Sequence, residues 1–280
     1  MTQGSARISH PTVWRWLRED GYRLRLNRKQ LATRQSPDRD AQFQYVAQLR
    51  AEFLAQNLPI ISKDTKKREL LGNFKNAGAA WGLEPTVVSA YDFPSEAKGL
   101  AIPDAVLDVT RGDALVHVGT SRNTPGFAAA TVEQWIRKVG VTRYPAARHL
   151  LLLVDAGGAN SCRSHQWKRA IHHVAVKTSL AITVCHYPTG ASKWNPVEHE
   201  VLGRISQHWA GVPLRNMDTL RGLIRNTRTR RGHPCTVLTD QRKWTRQVPE
   251  YGEPWIIPHP HLPLWNYTVL PIPCVPQMIT

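Results

Sequence analysis

The sequence predicts an α/β protein in which helices flank a mixed five-stranded sheet, with a short helical segment at the N-terminus. After residue 57, short apolar runs of strand length alternate with longer segments whose apolar residues recur at helical spacing. The second and third runs are separated by Arg111-Gly112-Asp113, which is typical of a tight hairpin turn. A hairpin within an otherwise alternating order predicts a sheet with both parallel and antiparallel strands.

Five strands and six helices are expected from these patterns. The N-terminal helix can be capped by Ser9, accepts Pro11 in its first turn and ends before Gly21. The strands are predicted at residues 58–63, 100–109, 114–118, 149–154 and 180–185. The other helices are predicted at 38–57, from near 124 to 139, and at 162–178, 195–209 and 217–230. The order strand, hairpin, helix, strand, helix, strand, helix matches the ribonuclease-H-like fold.

The element pattern divides the chain into three parts. Residues 1–36 are expected to hold the short helix and a basic, polar linker, and residues 37–230 the α/β domain. Residues 231–280 are rich in basic residues and proline and show no strong period, so an irregular C-terminal extension is expected there.

The charge of the chain indicates a polyanionic partner. Lys and Arg number 37 against 21 Asp and Glu, which gives a net charge of +16 and an isoelectric point near 10.2. Ten basic and two acidic residues lie in 204–246, and ten basic and four acidic residues lie in 1–50. Nucleic acid is the favoured partner. An anionic membrane, a ribosomal surface or excess charge that serves solubility are the alternatives.

The cysteines and the apolar runs indicate the cellular compartment of the protein. Cys162, Cys185, Cys235 and Cys274 form no Cys-x-x-Cys pair, so a zinc knuckle is not expected. No secretory signal or apolar run of membrane length is present. We therefore expect a reducing, cytoplasmic setting and no membrane partner.

Three acidic residues are predicted to form the functional centre. Asp64 and Asp155 follow the first and fourth strands, and Glu198 lies in the first turn of the helix opened by Pro196. Ligands gather at the carboxyl ends of strands, and a helix N-terminus tolerates an anion. Carboxylates suit Mg²⁺ or Mn²⁺, and two such ions support phosphodiester displacement. Taken singly, each acid is better interpreted as an ordinary turn or surface residue, whereas the three together, in a basic chain, favour a metal site.

Basic, amide and aromatic side chains near the acids are candidate DNA contacts. The first helix resembles the recognition helix of a helix-turn-helix, although any surface helix of a small bundle has the same pattern. Trp194 is suited to stacking on an unpaired base, but tryptophan is more often a core residue. The candidate DNA-binding residues are Arg15, Arg18, Lys66, Lys67, Asn160, Lys193 and Trp194.

Several sequence blocks resemble the ISAzo-thirteen transposases, whose catalytic part is called the Rhodopirellula-type DDE domain. The resemblance covers about residues 8–270. The last block contains an Asn-Pro-x-Glu core that is shared with the wider Tc/mariner-like transposases. The blocks are ISKDTKKRELLGNFKNAG at 61–78, DFPS at 92–95, VGTS at 118–121, LVDAGGAN at 153–160 and HYPTGASKWNPVEH at 186–199.

The resemblance implies transposition of an insertion sequence by metal-dependent DNA cleavage and strand transfer. It implies that Asp64, Asp155 and Glu198 are the catalytic residues and hold two Mg²⁺ or Mn²⁺ ions. The implied partners are the terminal inverted repeats, the target DNA and a second copy of the chain, in the bacterial cytoplasm at the nucleoid. Family members carry a longer N-terminal helix-turn-helix region, so the chain is expected to be a truncated copy.

Two other functions remain open on sequence grounds. A ribonuclease-H-like nuclease would need the same acids but no DNA-reading helix. A catalytically inactive DNA-binding remnant, or a repressor of transposition, would need the basic surface without metal binding.

Overall fold

The computed structural model of the protein describes residues 8–23, 37–191, 194–245 and 252–273. The chain forms two compact units, Met1–Thr33 and Arg34–Thr280. The first unit contains the helix α1 (His10–Glu19). Ser9 accepts a hydrogen bond from the backbone N–H of Thr12 and caps the helix, as the sequence predicts.

The second unit is built on one large sheet with helices on both faces. The strands among its described residues are β1 (Ile60–Thr65), β2 (Glu69–Leu71), β3 (Gly99–Asp108), β4 (Ala114–Gly119), β5 (His149–Asp155), β6 (Ala181–Tyr187), β7 (Cys235–Asp240), β8 (Ile256–Pro258) and β9 (Asn266–Val269). They lie in the order β7-β4-β3-β1-β5-β6-β9-β8, and β2 pairs with β3 beside that path.

The helices of the second unit connect these strands. They are α2 (Arg39–Ala55), α3 (Pro125–Trp135), α4 (Val141–Arg143), α5 (His165–Thr178), α6 (Gly203–His208) and α7 (Met217–Asn226). A π-helical turn, Ile136–Gly140, joins α3 to α4, and a second one, Glu198–Leu202, leads into α6. Within the sheet's core clusters, α3 and α5 pack on one face, whereas α2, α6 and α7 pack on the other.

The predicted mixed sheet is confirmed in its five central strands. β1 is antiparallel to β3 and parallel to β5, and β5 is parallel to β6. The hairpin between β3 and β4 turns at Gly112, whose φ of 83° is the left-handed conformation that glycine adopts without strain. Because β1, β4, β5 and β6 run in the same direction, their carboxyl ends meet at one edge of the sheet. We call this the carboxyl edge.

The sheet is larger than the five strands predicted, and the expected irregular extension after residue 230 is wrong for its described part. β7 pairs in parallel with β4, whereas β9 pairs antiparallel with β6 and with β8. These strands cover backbone groups that the outer central strands would otherwise leave unpaired. These strands are difficult to predict from the sequence. β8 has three residues and contains Pro258, and β7 alternates polar and apolar residues only briefly.

Some predicted helix ends shift because of local capping. α5 begins at His165 rather than at residue 162, because Ser164 caps it by accepting from the backbone N–H of Trp167. α7 ends at Asn226, four residues before the predicted end at 230. Among the residues that the structure describes, no helix is long and apolar enough to span a membrane.

Candidate active site

The three predicted acids come from elements that meet at the carboxyl edge. Asp64 is in β1 and Asp155 ends β5, the parallel neighbour of β1. Glu198 begins the π-helical turn that packs against β3, and its carboxylate is close enough to Asp64 to raise the pKa of that acid. π-helical turns are uncommon and occur often at functional sites. The predicted convergence of Asp64 with Asp155 and Glu198 therefore has a structural basis.

Asp64 and Asp155 share an environment that disfavours negative charge. Burial raises the pKa of Asp64 to about 7, aided by the hydrogen bond and the negative charge of Glu198. Burial also raises the pKa of Asp155 to about 6, and the charge of Asp64 adds to this. The positive charge of Lys63 acts against both increases in pKa. The backbone N–H of Thr65 also donates to Asp64 Oδ1 at 2.7 Å.

Asn195 is fully buried, and its side-chain amide joins the three elements that carry the acids. Its Nδ2 donates to Asp155 Oδ1 at 3.2 Å and to the carbonyl oxygen of Lys63 at 3.3 Å. Its Oδ1 accepts from Ser62 Oγ and from the backbone N–H of Val197. One amide thus connects β1, the end of β5 and the helix of Glu198. The sequence prediction assigned it no role, although its position three residues before Glu198 was the available signal.

A buried ion pair lies behind Asp64. The Lys63 Nζ and Asp104 Oδ1 atoms are 2.9 Å apart, and neither side chain is exposed. Thr65 Oγ1 donates to the same Asp104 oxygen at 2.8 Å. Because side chains alternate along a strand, Lys63 lies on the opposite face of the sheet from Asp64. The pair therefore places a positive charge beneath the acids without occupying the site.

A cavity of about 390 Å³ opens beside Asp64 and Asp155. Its other lining residues are Thr65, Asn123, residues 156–160 and residues 188–190. The carboxylates therefore face a space that is accessible from the carboxyl edge.

The donor set fits a hard divalent cation, although the acids are not arranged as a complete metal site. No group of three His, Cys, Asp or Glu side chains among the described residues is already placed to hold a metal ion. Nevertheless, two carboxylates have raised pKa values because they are buried beside other acids. A bound cation would offset both the burial of these negative charges and their mutual repulsion.

A family model described as "Rhodopirellula transposase DDE domain" matches residues 1–271. The chain belongs to this transposase family. No match is found among curated proteins.

Solved structures of Mos1 transposase resemble this DDE domain in fold. The structure described as "Crystal structure of the mariner Mos1 paired end complex with Mg" has a TM-score of 0.50 at 11% identity. That match covers 77% of this chain and 61% of the Mos1 chain. The "Crystal structure of the Mos1 Strand Transfer Complex" has a TM-score of 0.49 at 13% identity, with coverage of 77% and 61%. The chain thus spans about three fifths of the length of these relatives.

The predicted DNA contacts of the DDE domain lie in different settings. Lys66 is ion-paired to Glu69 at 2.9 Å and lies over the ring of Trp209, whereas Lys67 is exposed. Asn160 lines the cavity, but its side chain is buried and donates to the backbone oxygen of Asp155 at 2.7 Å. It therefore holds the turn that follows β5, and direct contact with DNA stays a prediction.

Trp194 is a surface residue and not the core residue that tryptophan more often is. Its side chain is 45% exposed, and the guanidinium of Arg39 lies 4.7 Å from its ring centre. Phe43 packs against the same ring at 5.8 Å. Lys193 lies outside the described residues. A tryptophan held by a cation and a second ring is suited to stacking.

The first unit of the DDE family chain carries the other two predicted contacts. Arg15 lies 3.9 Å from Glu19, one turn later in α1, and the guanidinium of Arg18 lies over the ring of Trp14. No residue of α1 is buried. The predicted role of this helix in reading DNA stays a prediction.

Proposed function

We propose that the chain is a DDE-type transposase that cleaves DNA strands at the ends of an insertion sequence and joins them to target DNA. The observation that carries this proposal is the grouping of Asp64, Asp155 and Glu198 at the carboxyl edge of a domain whose family match spans residues 1–271. The proposed enzyme is therefore a polynucleotidyl transferase.

Asp64, Asp155 and Glu198 are the proposed ligands of two Mg²⁺ or Mn²⁺ ions. When bound, such ions stabilise the attacking and leaving oxygens of a phosphodiester displacement. Asn195 orients Asp155 by donating to its Oδ1, and Thr65 orients Asp64 through its backbone N–H. Lys63 offsets part of the negative charge from the other face of the sheet. These contacts reduce the freedom of the acids before DNA arrives.

The proposed partners are the terminal inverted repeats of the element and its target DNA, bound by two copies of the chain at the bacterial nucleoid. Trp194, over whose ring the Arg39 guanidinium lies, is proposed to stack on an unpaired base. Lys66, Lys67, Asn160 and Lys193 are proposed to contact the strand near the acids. Arg15 and Arg18, in the N-terminal segment 1–36, are proposed to contact DNA outside the catalytic domain.

A strand-transfer assay with the three acid variants tests this function. Asp64→Asn, Asp155→Asn and Glu198→Gln should each lower the rate about 10³-fold, since losing several kcal/mol of transition-state stabilisation has that effect. Asp218→Asn is the matched control, because this acid is 90% exposed in α7. The rate of that variant should be unchanged.

Two results would overturn the proposal. Strand transfer that survives in an acid variant would remove that residue from the site. Cleavage of an RNA–DNA hybrid in preference to element ends would favour the ribonuclease-H-like nuclease.

A further inference from the structure

Two loops beside the candidate active site form one rigid ledge at the carboxyl edge. We define the ledge as residues 120–123, which follow β4, and residues 240–245, at the end of β7. β4 and β7 are parallel neighbours, so both loops leave the sheet at the same edge. The backbone N–H of Thr120 donates to the carbonyl oxygen of Asp240 at 3.1 Å, which continues the strand pairing into the loops.

Ser121 connects the two loops directly. Its Oγ donates to the carbonyl oxygen of Arg242 at 2.9 Å and accepts from the backbone N–H of Trp244 at 3.0 Å. The ring of Trp244 packs beside Phe127 of α3, with 6.1 Å between the ring centres. The ledge is therefore anchored to a core helix as well as to the sheet.

The acidic residue of the ledge is neutralised internally. Asp240 is 5% exposed and accepts two charge-assisted bonds from Arg242, at 2.7 Å to Oδ2 and 2.9 Å to Oδ1. Trp244 Nε1 also donates to its Oδ2 at 3.1 Å. Residues 120–123 and 241–245 contain no further acid. The remaining charges of the ledge are thus the two cations Arg122 and Lys243.

Arg122 and Lys243 are exposed, and the ledge reaches the catalytic cavity through Asn123. Asn123, next to Arg122, is exposed and lines the cavity that contains Asp64 and Asp155. A polyanionic chain that leaves this cavity on the β4 side therefore passes over a preformed surface with two exposed positive charges. Fixed cations on rigid loops are typical of sites that position phosphates.

We propose that the ledge binds the phosphate backbone of the DNA strand that enters the carboxylate cavity, with Arg122 and Lys243 each contacting a phosphate. The proposal rests on the proposed function, because it identifies the path of the substrate through the same site. The contacts are with the backbone, so the ledge positions DNA without reading its sequence. Asn123 is placed between the ledge and the acids.

The salt dependence of DNA binding tests the ledge. The probe is a fluorescein-labelled DNA duplex of arbitrary sequence with a single-stranded 3′ tail, titrated with the full chain in EDTA at 50–200 mM KCl. The double variant Arg122→Gln/Lys243→Gln should remove two phosphate contacts. The slope of log affinity against log salt should then become shallower by about 1.8 if the contacted phosphates belong to duplex DNA, or by about 1.4 if they belong to the single-stranded tail. With binding at 1 M salt unchanged, a slope loss of this size lowers affinity at 50 mM KCl by about 10²-fold.

Lys138→Gln/Arg148→Gln is the matched control, because it also removes one lysine and one arginine. Lys138 lies in the π-helical turn after α3, and Arg148 precedes β5 at the edge opposite the acids. Both are exposed. An equal loss of slope in this variant, or an unchanged slope in the ledge variant, would overturn the proposal. Arg122→Lys/Lys243→Arg keeps both charges and should bind like the wild type.

The ledge and the proposed function can fail separately. DNA binding in EDTA requires no catalytic metal, so the ledge result should be the same in the Asp64→Asn background. If the ledge variants behave as expected but acid variants retain strand transfer, the catalytic assignment alone is wrong. If the acid variants are inactive but ledge variants bind DNA normally, the ledge alone is wrong. Thermal unfolding of each variant confirms that it is folded.

Discussion

Asp64 and Asp108 are acids of neighbouring, antiparallel strands, and they lie toward opposite edges of the same sheet. Burial raises the pKa of both. Asp108 accepts from the backbone N–H groups of Thr110 and Arg111, each at 2.9 Å, and from Tyr144 Oη at 2.8 Å. Asp64 instead has the acids Glu198 and Asp155 among its neighbours.

The difference shows how a buried acid held by hydrogen-bond donors differs from one that lies among other acids. Donors from the turn that follows β3 and from Tyr144 satisfy the oxygens of Asp108. Asp64 receives one backbone donor, from Thr65, and otherwise lies in a group of like charges. That group becomes favourable only when a cation or a proton arrives, which is the property expected of a metal-binding centre.

The largest predicted contrast is between the two acids themselves. Asp64→Asn should lower strand transfer about 10³-fold while leaving the free energy of unfolding in metal-free buffer equal or higher, because it removes a repulsion. Asp108→Asn should keep activity but lower the free energy of unfolding by about 2 kcal/mol, since its bonds are to a charged group. Strand-transfer rates and urea unfolding of both variants measure this. A fully folded but inactive Asp108→Asn variant would contradict the different roles of Asp64 and Asp108.

The next contrast concerns the buried ion pair near Asp64. Lys63→Met leaves Asp104 buried without its cation and should lower the free energy of unfolding by about 3 kcal/mol. Lys63→Met/Asp104→Leu removes both charges and should recover most of that loss. Urea unfolding measures both. If the double variant recovers stability but not strand transfer, Lys63 supports the acids as well as the fold. If it recovers both, Lys63 supports only the fold.

A smaller effect is expected at Asn195. Asn195→Ala retains all three acids but removes the amide that joins their elements, and misplacement by about 1 Å should lower kcat about 10²-fold. KM for element-end DNA should change little, because the substitution leaves the DNA surface intact. The matched control is Asn76→Ala, which removes an amide that donates to carbonyl oxygens of Trp209 and Val212. A change in KM with constant kcat would contradict the positioning role of Asn195.

The most gradual predicted effect is a pH dependence at the carboxyl edge. His186 is fully buried, with ring nitrogens near the carbonyl oxygens of Asn160 and Trp265, and burial lowers its pKa to about 4. The unfolded chain therefore binds a proton more readily than the folded one between about pH 6.5 and 4. Its contribution to stability is complete above pH 6.5 and declines below it by at most about 1.4 kcal/mol per pH unit.

Urea unfolding between pH 4 and 7 measures this dependence. His186→Gln should have a flatter profile over that range, whereas His165→Gln, at the exposed start of α5, should keep the wild-type profile. An unchanged slope in His186→Gln would show that another group accounts for the acid sensitivity.

Sequence patterns predicted the central sheet and the acids because both depend on local signals. Apolar runs and helical spacing located the five central strands and most helices, and Ser9 was identified correctly as a cap. The motif ending in Asn-Pro-x-Glu identified Glu198. The strands after residue 230 were missed because β7 and β9 are defined by the edges they pair with, which lie far away in sequence.

By itself, the sequence determined the order of the central elements and the basic character of the chain, and it predicted the three acids. The tertiary structure decided which polar residues support the acids. Contacts between segments far apart in sequence give Asn195, Lys63 and Asp104 their roles. The periodicity of the sequence does not predict such contacts. The neighbours of each buried carboxylate decided the rest, because hydrogen-bond donors surround Asp108, whereas Asp64 lies beside other acids.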